Sequence, residues 1–521
     1  MGFYEAMEKT VNGNNNVSVT ENGAIGYRST GKSLLDLNFS VSSLRNMDPE
    51  RITSQFSQAW EEDRELALRW LFFLRDVREG LGERRSFRII LHWLGENYPT
   101  IVSKLLTIET DDGYVIPFYG RWDDIFELMN MFPTYIINVV KQQIDLDLLN
   151  ATNNRPVSLL AKWMPSNNTS SRETVSLANR LATGMRLTPR SYRKILSRLR
   201  KYIDVVEVKM SGGEWDKINY ESVPSKANLL YNQAFYKHDP ERRAEFLAKL
   251  STGEAKINAS TSYPYEIYHR MRGAGGNEVA TLEAMWKSIL EGVTIEQNVI
   301  VVCDGSGSME QSISTSTSAT AYDVANSLAL YFSETLRGEF HGKFITFSEC
   351  PKLVDVGCYE TLSEKIRETY RHREVANTNI EAVFDLVLQT AVENNLSAGD
   401  MPDSILIISD MEFDRCSEDN YGNQLMHDTG RSKTLFERIA KRFTDNGYKL
   451  PRLIFWNVCS RTMTIPVKEN ELGVALVSGF SINNINMILS GEMDPYLCLV
   501  HELKKERYDR VIDVVGEEIN M

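Results

Sequence analysis

The feature that most constrains how this chain folds is a short apolar run, 298–303, followed at once by the loop Asp304-Gly305-Ser306-Gly307-Ser308. A run this short, rich in β-branched residues, is typical of a buried strand that opens into a loop. The loop carries one carboxylate and two hydroxyls at alternate positions, and these are hard oxygen ligands of the kind that Mg²⁺ and Mn²⁺ prefer. Glycines at 305 and 307 let the backbone turn tightly, so the three oxygens can converge.

Two later segments supply partners for this loop, which taken alone is most simply a Gly/Ser turn. Thr378 precedes the helix-like run 380–388, and the apolar run 404–409 ends in the carboxylate of Asp410. Together the three pieces form the pattern D-x-S-x-S … T … D, with each part at the end of a strand or helix. Ligand sites of open parallel sheets lie outside the carboxyl ends of the strands. The pattern therefore predicts one divalent-cation site.

Predicted strands and helices alternate from residue 298 onward, which is typical of a doubly wound parallel sheet. The predicted strands are 299–303, 343–347, 404–409, 452–458 and 473–477, and the predicted helices are 319–336, 360–370, 379–392, 432–445 and 494–506. Before this region, apolar residues recur at helical spacing from about Leu34, with breaks at several prolines. Short helices with short links indicate a stacked, HEAT-like α-helical array.

These patterns predict a multidomain chain. Its parts are a loosely ordered polar arm over 1–33, an α-helical scaffold domain over 34–250, a connecting segment over 251–297 and an α/β domain over 298–521.

The bulk composition limits the partners. A net charge of −13 over 521 residues argues against whole-surface attraction to nucleic acid or anionic membranes, although it is compatible with a local basic patch. No run approaches the roughly 20 apolar residues of a membrane span, and no secretory signal is visible. The six cysteines form no C-x-x-C pair, which disfavours a zinc site. We expect reduced thiols, no membrane partner and a cytoplasmic location.

One segment departs from the acidic trend. Within 190–201, apolar residues fall on one helical face and the cations fall on the opposite face, namely Arg190, Lys194, Arg198 and Lys201. A solvated surface helix and a phosphate-backbone contact are both compatible with this pattern. A weaker basic cluster is formed by Arg84, Arg85 and Arg88.

Enzymatic motifs have little support. The 304–308 loop lacks the Lys-Ser/Thr ending of a phosphate-binding P-loop. Ser306 is not in a G-x-S-x-G elbow, and no histidine can be recognised in the sequence as its base. The Ser/Thr-rich stretch 312–318 is expected to be a flexible loop. Because the oxygen ligands lack a second metal or an evident general base, we expect a non-enzymatic binding protein.

The D-x-S-x-S … T … D set resembles the metal-ion-dependent adhesion site (MIDAS) of von Willebrand factor A domains. The resemblance implies that the hydroxyls of Ser306, Ser308 and Thr378 are ligands, and that Asp304 and Asp410 act directly or through water. Mg²⁺ is the expected cation, with Mn²⁺ or Ca²⁺ as alternatives. One coordination position would stay open for a carboxylate of a protein partner.

Segments along nearly the whole chain resemble an uncharacterised family of plants, fungi and large viruses, the DUF2828 type. They are 21–23, 29–31, 74–84, 119–124, 223–227, 409–413, 455–458 and 477–480. The architecture of that family is similar to that of Ro autoantigen (TROVE) proteins, which join helical repeats to a von Willebrand A domain and bind small structured RNAs. This resemblance implies an RNA-binding scaffold. The alternative is a metal-dependent protein-interaction module without an RNA role.

Overall fold

The structure is a computed structural model. It describes residues 16–111, 113–347, 351–373, 379–413, 435–466, 473–489, 492 and 494–520. The chain divides into two compact units. The α/β unit comprises the chain up to Glu62 together with Ala259–Glu502, and the helical unit comprises Asp63–Asn258 together with Leu503–Met521.

The described strands are β1 (Val17–Val19), β2 (Ile25–Tyr27), β3 (Glu109–Thr110), β4 (Gly113–Tyr114), β5 (Val299–Asp304), β6 (Lys343–Phe347), β7 (Lys352–Asp355), β8 (Ser404–Ser409), β9 (Arg452–Asn457) and β10 (Val474–Ser478). Strands β5 to β10 form one sheet in the order β10-β9-β8-β5-β6-β7. All neighbours are parallel except the edge pair β6–β7. This is the doubly wound order, in which the direction of winding reverses between β5 and β8.

The described α-helices are α1 (Ser33–Phe39), α2 (Val41–Leu44), α3 (Pro49–Glu62), α4 (Arg64–Arg75), α5 (Arg85–Asn97), α6 (Pro99–Thr107), α7 (Val115–Tyr119), α8 (Asp123–Phe126), α9 (Pro133–Thr152), α10 (Leu160–Trp163), α11 (Arg172–Gly184), α12 (Pro189–Tyr202), α13 (Val206–Ser211), α14 (Ser225–His238), α15 (Pro240–Thr252), α16 (Pro264–Arg272), α17 (Asn277–Leu290), α18 (Ala321–Thr335), α19 (Leu362–Arg371), α20 (Glu381–Glu393), α21 (Leu435–Asp445), α22 (Ile485–Leu489), α23 (Pro495–Leu503) and α24 (Asp509–Val515). The predicted fold class, a helical region followed by an α/β sheet region, is confirmed.

The central strands are buried because their sequences are apolar on both faces. Strands β5, β8, β9 and β10 are buried along their whole length. Strand β5 lies between β8 and β6, as its uninterrupted apolar sequence predicts. Helix α18 packs against β5 and is itself buried almost throughout. A capping box between Thr320 and Asp323 sets where this helix begins.

The compact units depart from the contiguous domains predicted from the sequence. Part of the predicted arm 1–33 is an ordered hairpin, β1–β2, whose Tyr27 N–H donates to the carbonyl of Ile465 at 2.8 Å. The predicted connecting segment 251–297 contains α16 and α17, which belong to the α/β unit. The tail after Leu503 belongs to the helical unit. Pairing between segments hundreds of residues apart leaves no periodic signal in the sequence, so local patterns could not show it.

The helical unit is anchored by a buried ion pair. Arg75 Nε donates to Asp124 Oδ2 at 2.9 Å, and both side chains are almost fully buried. Arg88 Nε donates to the other carboxylate oxygen at 2.7 Å, and the Arg121 N–H donates to Asp124 at 2.9 Å. Asp124 therefore joins α4, α5 and the turn that leads into α8. Arg88 belongs to the basic cluster predicted from the sequence, and its contact with Asp124 gives it a structural role.

In the described part of the chain, every helix falls short of the length or the apolar character that a bilayer span requires. Within the same residues, the cysteines Cys303, Cys358 and Cys459 are free thiols.

Substitution of Asp124 tests the role of the buried Arg75–Asp124 ion pair. Asp124→Ala would leave the buried Arg75 guanidinium without its counter-charge, which costs about 3–5 kcal/mol. We expect the urea-unfolding midpoint of Asp124→Ala to lie well below that of the wild type when unfolding is monitored by tryptophan fluorescence. Glu214→Gln removes a solvent-exposed partner of Lys217 and should leave the midpoint unchanged. Equal midpoints for wild type and Asp124→Ala would refute the anchoring role.

Candidate functional site

Two carboxylates meet at the point where the winding of the sheet reverses. Asp304 is the last residue of β5, and Asp410 directly follows β8. The two strands are parallel neighbours, with Cys303 opposite Ile408. In sheets of this topology the connections that leave two such strands run to opposite sides, so a crevice is expected outside this strand pair. The topology alone thus brings two acidic side chains from positions 106 residues apart to one edge of the sheet.

The 304–308 loop folds back onto Asp304 through hydrogen bonds. The Ser306 N–H donates to Asp304 Oδ1 at 2.9 Å, and the Ser306 and Ser308 hydroxyls lie 3.0 Å apart. Ser409 Oγ donates to Asp304 Oδ2 at 2.7 Å. Both oxygens of Asp304 are therefore held in place by the loop and by β8. Ser308 also hydrogen-bonds to Asp410, which closes the cluster.

The carboxylates are in an environment that disfavours their charge. Asp304 is fully buried, and Asp410 is 1% exposed. Burial, together with the nearby charge of Asp410, raises the pKa of Asp304 to about 7. Burial also raises the pKa of Asp410, against the opposing effects of the Ser308 hydroxyl, the Glu412 N–H and Arg461. A cation between the two carboxylates would relieve this electrostatic cost.

The backbone after Asp410 takes an uncommon conformation. Met411 has a φ of +63°, in the left-handed region that is unfavourable for residues with a Cβ. Its side chain is 1% exposed. The Ser409 hydroxyl accepts the Met411 N–H at 2.9 Å, which stabilises the turn. Ser409 thus links the turn to Asp304. Local backbone strain of this type is common at functional sites.

A third buried carboxylate, Glu412, organises the rim of the crevice. Its side chain accepts the N–H groups of Arg461 and Thr462, each at 2.9 Å, and that of Glu21 at 2.8 Å. The Arg461 guanidinium, positioned by this loop, lies 3.4 Å from Asp410 Oδ2 and 2.5 Å from Glu21 Oε2. Sequence reasoning missed the roles of Ser409, Glu412 and Arg461. Segments 409–413 and 21–23 stood out in the family resemblance, but nothing local connects them.

The predicted metal ligands are brought together wherever the structure describes them. Asp304, Ser306, Ser308 and Asp410 share one cluster at the carboxyl edge of the sheet. Thr378 lies in 374–378, outside the described residues. No group of three or more His, Cys, Asp and Glu side chains suited to a metal occurs among the residues that the structure describes. The donors of the cluster are two carboxylates and two hydroxyls, which fit a hard cation that keeps some of its waters.

The predicted basic face is present on α12. Tyr192, Leu196 and Leu199 are buried, so this stripe packs into the helical unit. The four cations on the opposite face are exposed, namely Arg190, Lys194, Arg198 and Lys201. Arg200 behaves differently, because its guanidinium donates to the carbonyls of Ala161 and Met164 at 2.8 and 2.7 Å. Arg200 therefore has a structural role, which separates it from the exposed set.

The fold and the cluster define an α/β protein with a carboxylate–hydroxyl site at the switch point of its sheet, joined in one chain to a helical unit. Two family models match the sequence. One is described as "Domain of unknown function (DUF7788)" and matches residues 298–510; the other is described as "Domain of unknown function (DUF2828)" and matches residues 20–134 and 178–302. The DUF2828 resemblance is thereby confirmed over those residues. The plant and fungal distribution and the von Willebrand assignment stay predictions.

Two further proteins are similar to this chain to different degrees. "Uncharacterized protein L728" of Acanthamoeba polyphaga mimivirus is 28% identical over 533 residues, which cover 94% of this chain and 87% of the viral protein. The solved structure of the Deinococcus radiodurans RO (RSR) protein is 12% identical and aligns over 84% of this chain and 87% of that chain, with a TM-score of 0.34. At this score the Ro likeness contributes nothing to the argument for function.

The raised pKa of Asp304 predicts how stability depends on pH when no cation is present. Between pH 4 and pH 7 the folded chain keeps a proton on Asp304 that the unfolded chain releases near 3.8. The folded state then binds more protons, so stability should fall as pH rises through this window. Thermal melts in a chelator should show that Asp304→Asn weakens this decline. The prediction would be contradicted if the melting temperatures of wild type and variant changed equally with pH. At pH 7.5, added Mg²⁺ should restore the stability of the wild-type protein.

Proposed function

We propose that the chain is a binding protein whose α/β unit holds one divalent cation, with Mg²⁺ favoured over Mn²⁺ and Ca²⁺, in the MIDAS manner. The observation that carries the proposal is the convergence of Asp304, Ser306, Ser308 and Asp410 at the carboxyl ends of two adjacent strands. Such a cluster of buried acidic oxygens and hydroxyls favours a positive charge, and among the described residues Arg461 supplies part of it through its contact with Asp410.

The donor set defines how the cation would be held. The hydroxyls of Ser306 and Ser308 would coordinate directly, since two neutral oxygens already lie side by side. Asp304 and Asp410 supply the negative charge, either directly or through water. Thr378 completes the predicted set. The bound cation would supply a Lewis-acidic position that attracts an anionic oxygen from outside.

This arrangement favours a carboxylate of a protein partner as the ligand of the open position. The guanidinium of Arg461 lies 3.4 Å from Asp410 Oδ2 and its side chain is 30% exposed, so it suits a second contact with the same anion. We propose that this site binds and does not catalyse, and that it acts in the cytoplasm.

Calorimetric titration with Mg²⁺ and Mn²⁺ tests the site. Asp304→Ala and Asp410→Ala should each weaken binding by more than the roughly 10–100-fold loss that removing an outer-shell partner causes. Asp355→Ala is the matched control, because Asp355 is an exposed acid of the same sheet. It pairs with Lys343 at one end of β6, whereas Asp304 pairs with Phe347 at the other end. Wild-type affinity in either site variant, with melting curves that show a folded protein, would overturn the proposal.

The exposed face of α12 favours a second function, RNA binding by the helical unit. Four cations on one face of a helix whose opposite stripe is buried can meet several phosphates of one backbone. The acidic chain as a whole repels nucleic acid, so any affinity must come from such a local patch. We propose a small structured RNA as the ligand of this face. If RNA binding fails, the alternative is a metal-dependent protein-interaction module without an RNA role.

Charge reversal on α12 tests RNA binding with a fluorescein-labelled stem–loop RNA that carries single-stranded ends. Each phosphate contact contributes about −0.7 to the slope of log affinity against log salt for single strands. The fourfold substitution R190E/K194E/R198E/K201E should weaken binding strongly and flatten that slope, while the buried stripe keeps the helix folded. Asp304→Ala should bind the RNA as wild type does. If wild-type protein shows no salt-sensitive affinity, this function is wrong.

A further inference from the structure

A histidine in the α/β unit bridges a buried acid and a surface serine. His269, on α16, has its Nδ1 2.7 Å from Asp323 Oδ2 and its Nε2 3.0 Å from Ser318 Oγ. Ser318 lies in the exposed Ser/Thr-rich loop that precedes α18. None of these three residues belongs to the metal cluster. The order of atoms, hydroxyl to Nε2 and Nδ1 to carboxylate, is that of a nucleophile, a general base and an orienting acid.

The partners of the imidazole determine its tautomer. The carboxylate of Asp323 can only accept hydrogen bonds when it is ionised, and it forms an ion pair with Arg272 through its other oxygen. Nδ1 of His269 must therefore carry the proton that it donates to Asp323. In the neutral imidazole, Nε2 is then left with a lone pair, and the Ser318 hydroxyl 3.0 Å away can donate to it. This is the tautomer in which a histidine can take a proton from serine.

The acid is held in place independently of the histidine. Asp323 is fully buried, and its Oδ2 accepts the Thr320 N–H at 3.1 Å within the capping box of α18. Arg272, one turn after His269 on α16, holds Oδ1. Because two helices and a cap fix the carboxylate, it can orient the imidazole without moving. The serine end is open, since Ser318 is exposed and the His269 side chain is 32% exposed.

We propose that Ser318, His269 and Asp323 form an acyl-transfer site, with Ser318 as the nucleophile and a carboxylic ester as the substrate class. Ser318 Oγ would form a bond to the acyl carbon while Nε2 of His269 takes the hydroxyl proton. The ester C–O bond then breaks, and the proton passes to the departing alcohol oxygen. Water then attacks the acyl carbon while Nε2 takes its proton, the bond between the acyl carbon and Ser318 Oγ breaks, and the proton passes from Nε2 to Ser318 Oγ, so that the acyl group leaves as the acid. The Ser318 N–H, which donates no hydrogen bond to any described residue, is available to the developing oxyanion.

A fluorophosphonate reagent measures this reactivity directly, because it phosphonylates an activated serine with loss of fluoride. Intact mass and peptide mapping should place one adduct on Ser318 of the full-length protein. Ser318→Ala should abolish the adduct. Ser316→Ala is the matched control, since Ser316 is an exposed serine of the same loop whose hydroxyl contacts Ser314 instead. His269→Gln should slow labelling by roughly 100-fold or more, the contribution of a general base.

A second pair of variants keeps the test valid if His269→Gln proves unstable. Ser318→Cys would place a thiol against Nε2 of His269, whereas Ser316→Cys would place one in the same loop without a base. Iodoacetamide should alkylate the first at least 10-fold faster at pH 7, because a neighbouring imidazole favours the thiolate. Equal alkylation rates, or a Ser318 label that forms no faster than labels on other exposed serines, would show that the three residues only tie α16 to α18.

Discussion

The burial of two carboxylates at one edge of a parallel sheet is the constraint on which the α/β unit depends. Asp304 ends one strand and Asp410 follows another, and both strands are apolar on both faces, so folding the sheet forces both acids out of water. Their charge is costly there, as the raised pKa of Asp304 shows. The hydroxyls of Ser308 and Ser409 offset part of that cost through hydrogen bonds. A divalent cation at the proposed site would offset it more fully.

The same edge explains why the N-terminal hairpin belongs to the α/β unit. Glu412, two residues beyond Asp410, accepts backbone N–H groups from both the hairpin and the 460–462 loop. One buried carboxylate thus connects three segments that are far apart in the chain. It also positions Arg461 beside Asp410, with Glu21 as a second acidic partner. The rim of the proposed metal site is therefore built from the start of the chain as well as from the sheet.

Much of the α/β unit could be predicted from the sequence because its signals are local. Strand β5, the loop 304–308 and Asp410 were recognisable from apolar runs that end in Gly, Ser and Asp, and the parallel order of such strands brings their carboxyl ends together. The roles of Glu21, Glu412 and Arg461 depend on contacts between residues 49 or more positions apart, which no local pattern records. The contact between Ser318 and His269 was missed for the same reason, since a base 49 residues upstream has no motif. The expectation of a non-enzymatic protein therefore rested on neighbours in sequence, and the reactivity of Ser318 tests it.

The central claim is that one cation binds where Asp304, Ser306, Ser308 and Asp410 converge. Anomalous scattering from crystals grown in Mn²⁺ tests it most directly, because the ion is located without reference to the surrounding atoms. The account predicts one strong peak about 2.0–2.3 Å from the hydroxyl oxygens of Ser306 and Ser308, with octahedral coordination completed by Thr378, the two aspartates and water. An ordered ion elsewhere with this crevice empty, or a peak whose ligands exclude both serines, would contradict the account.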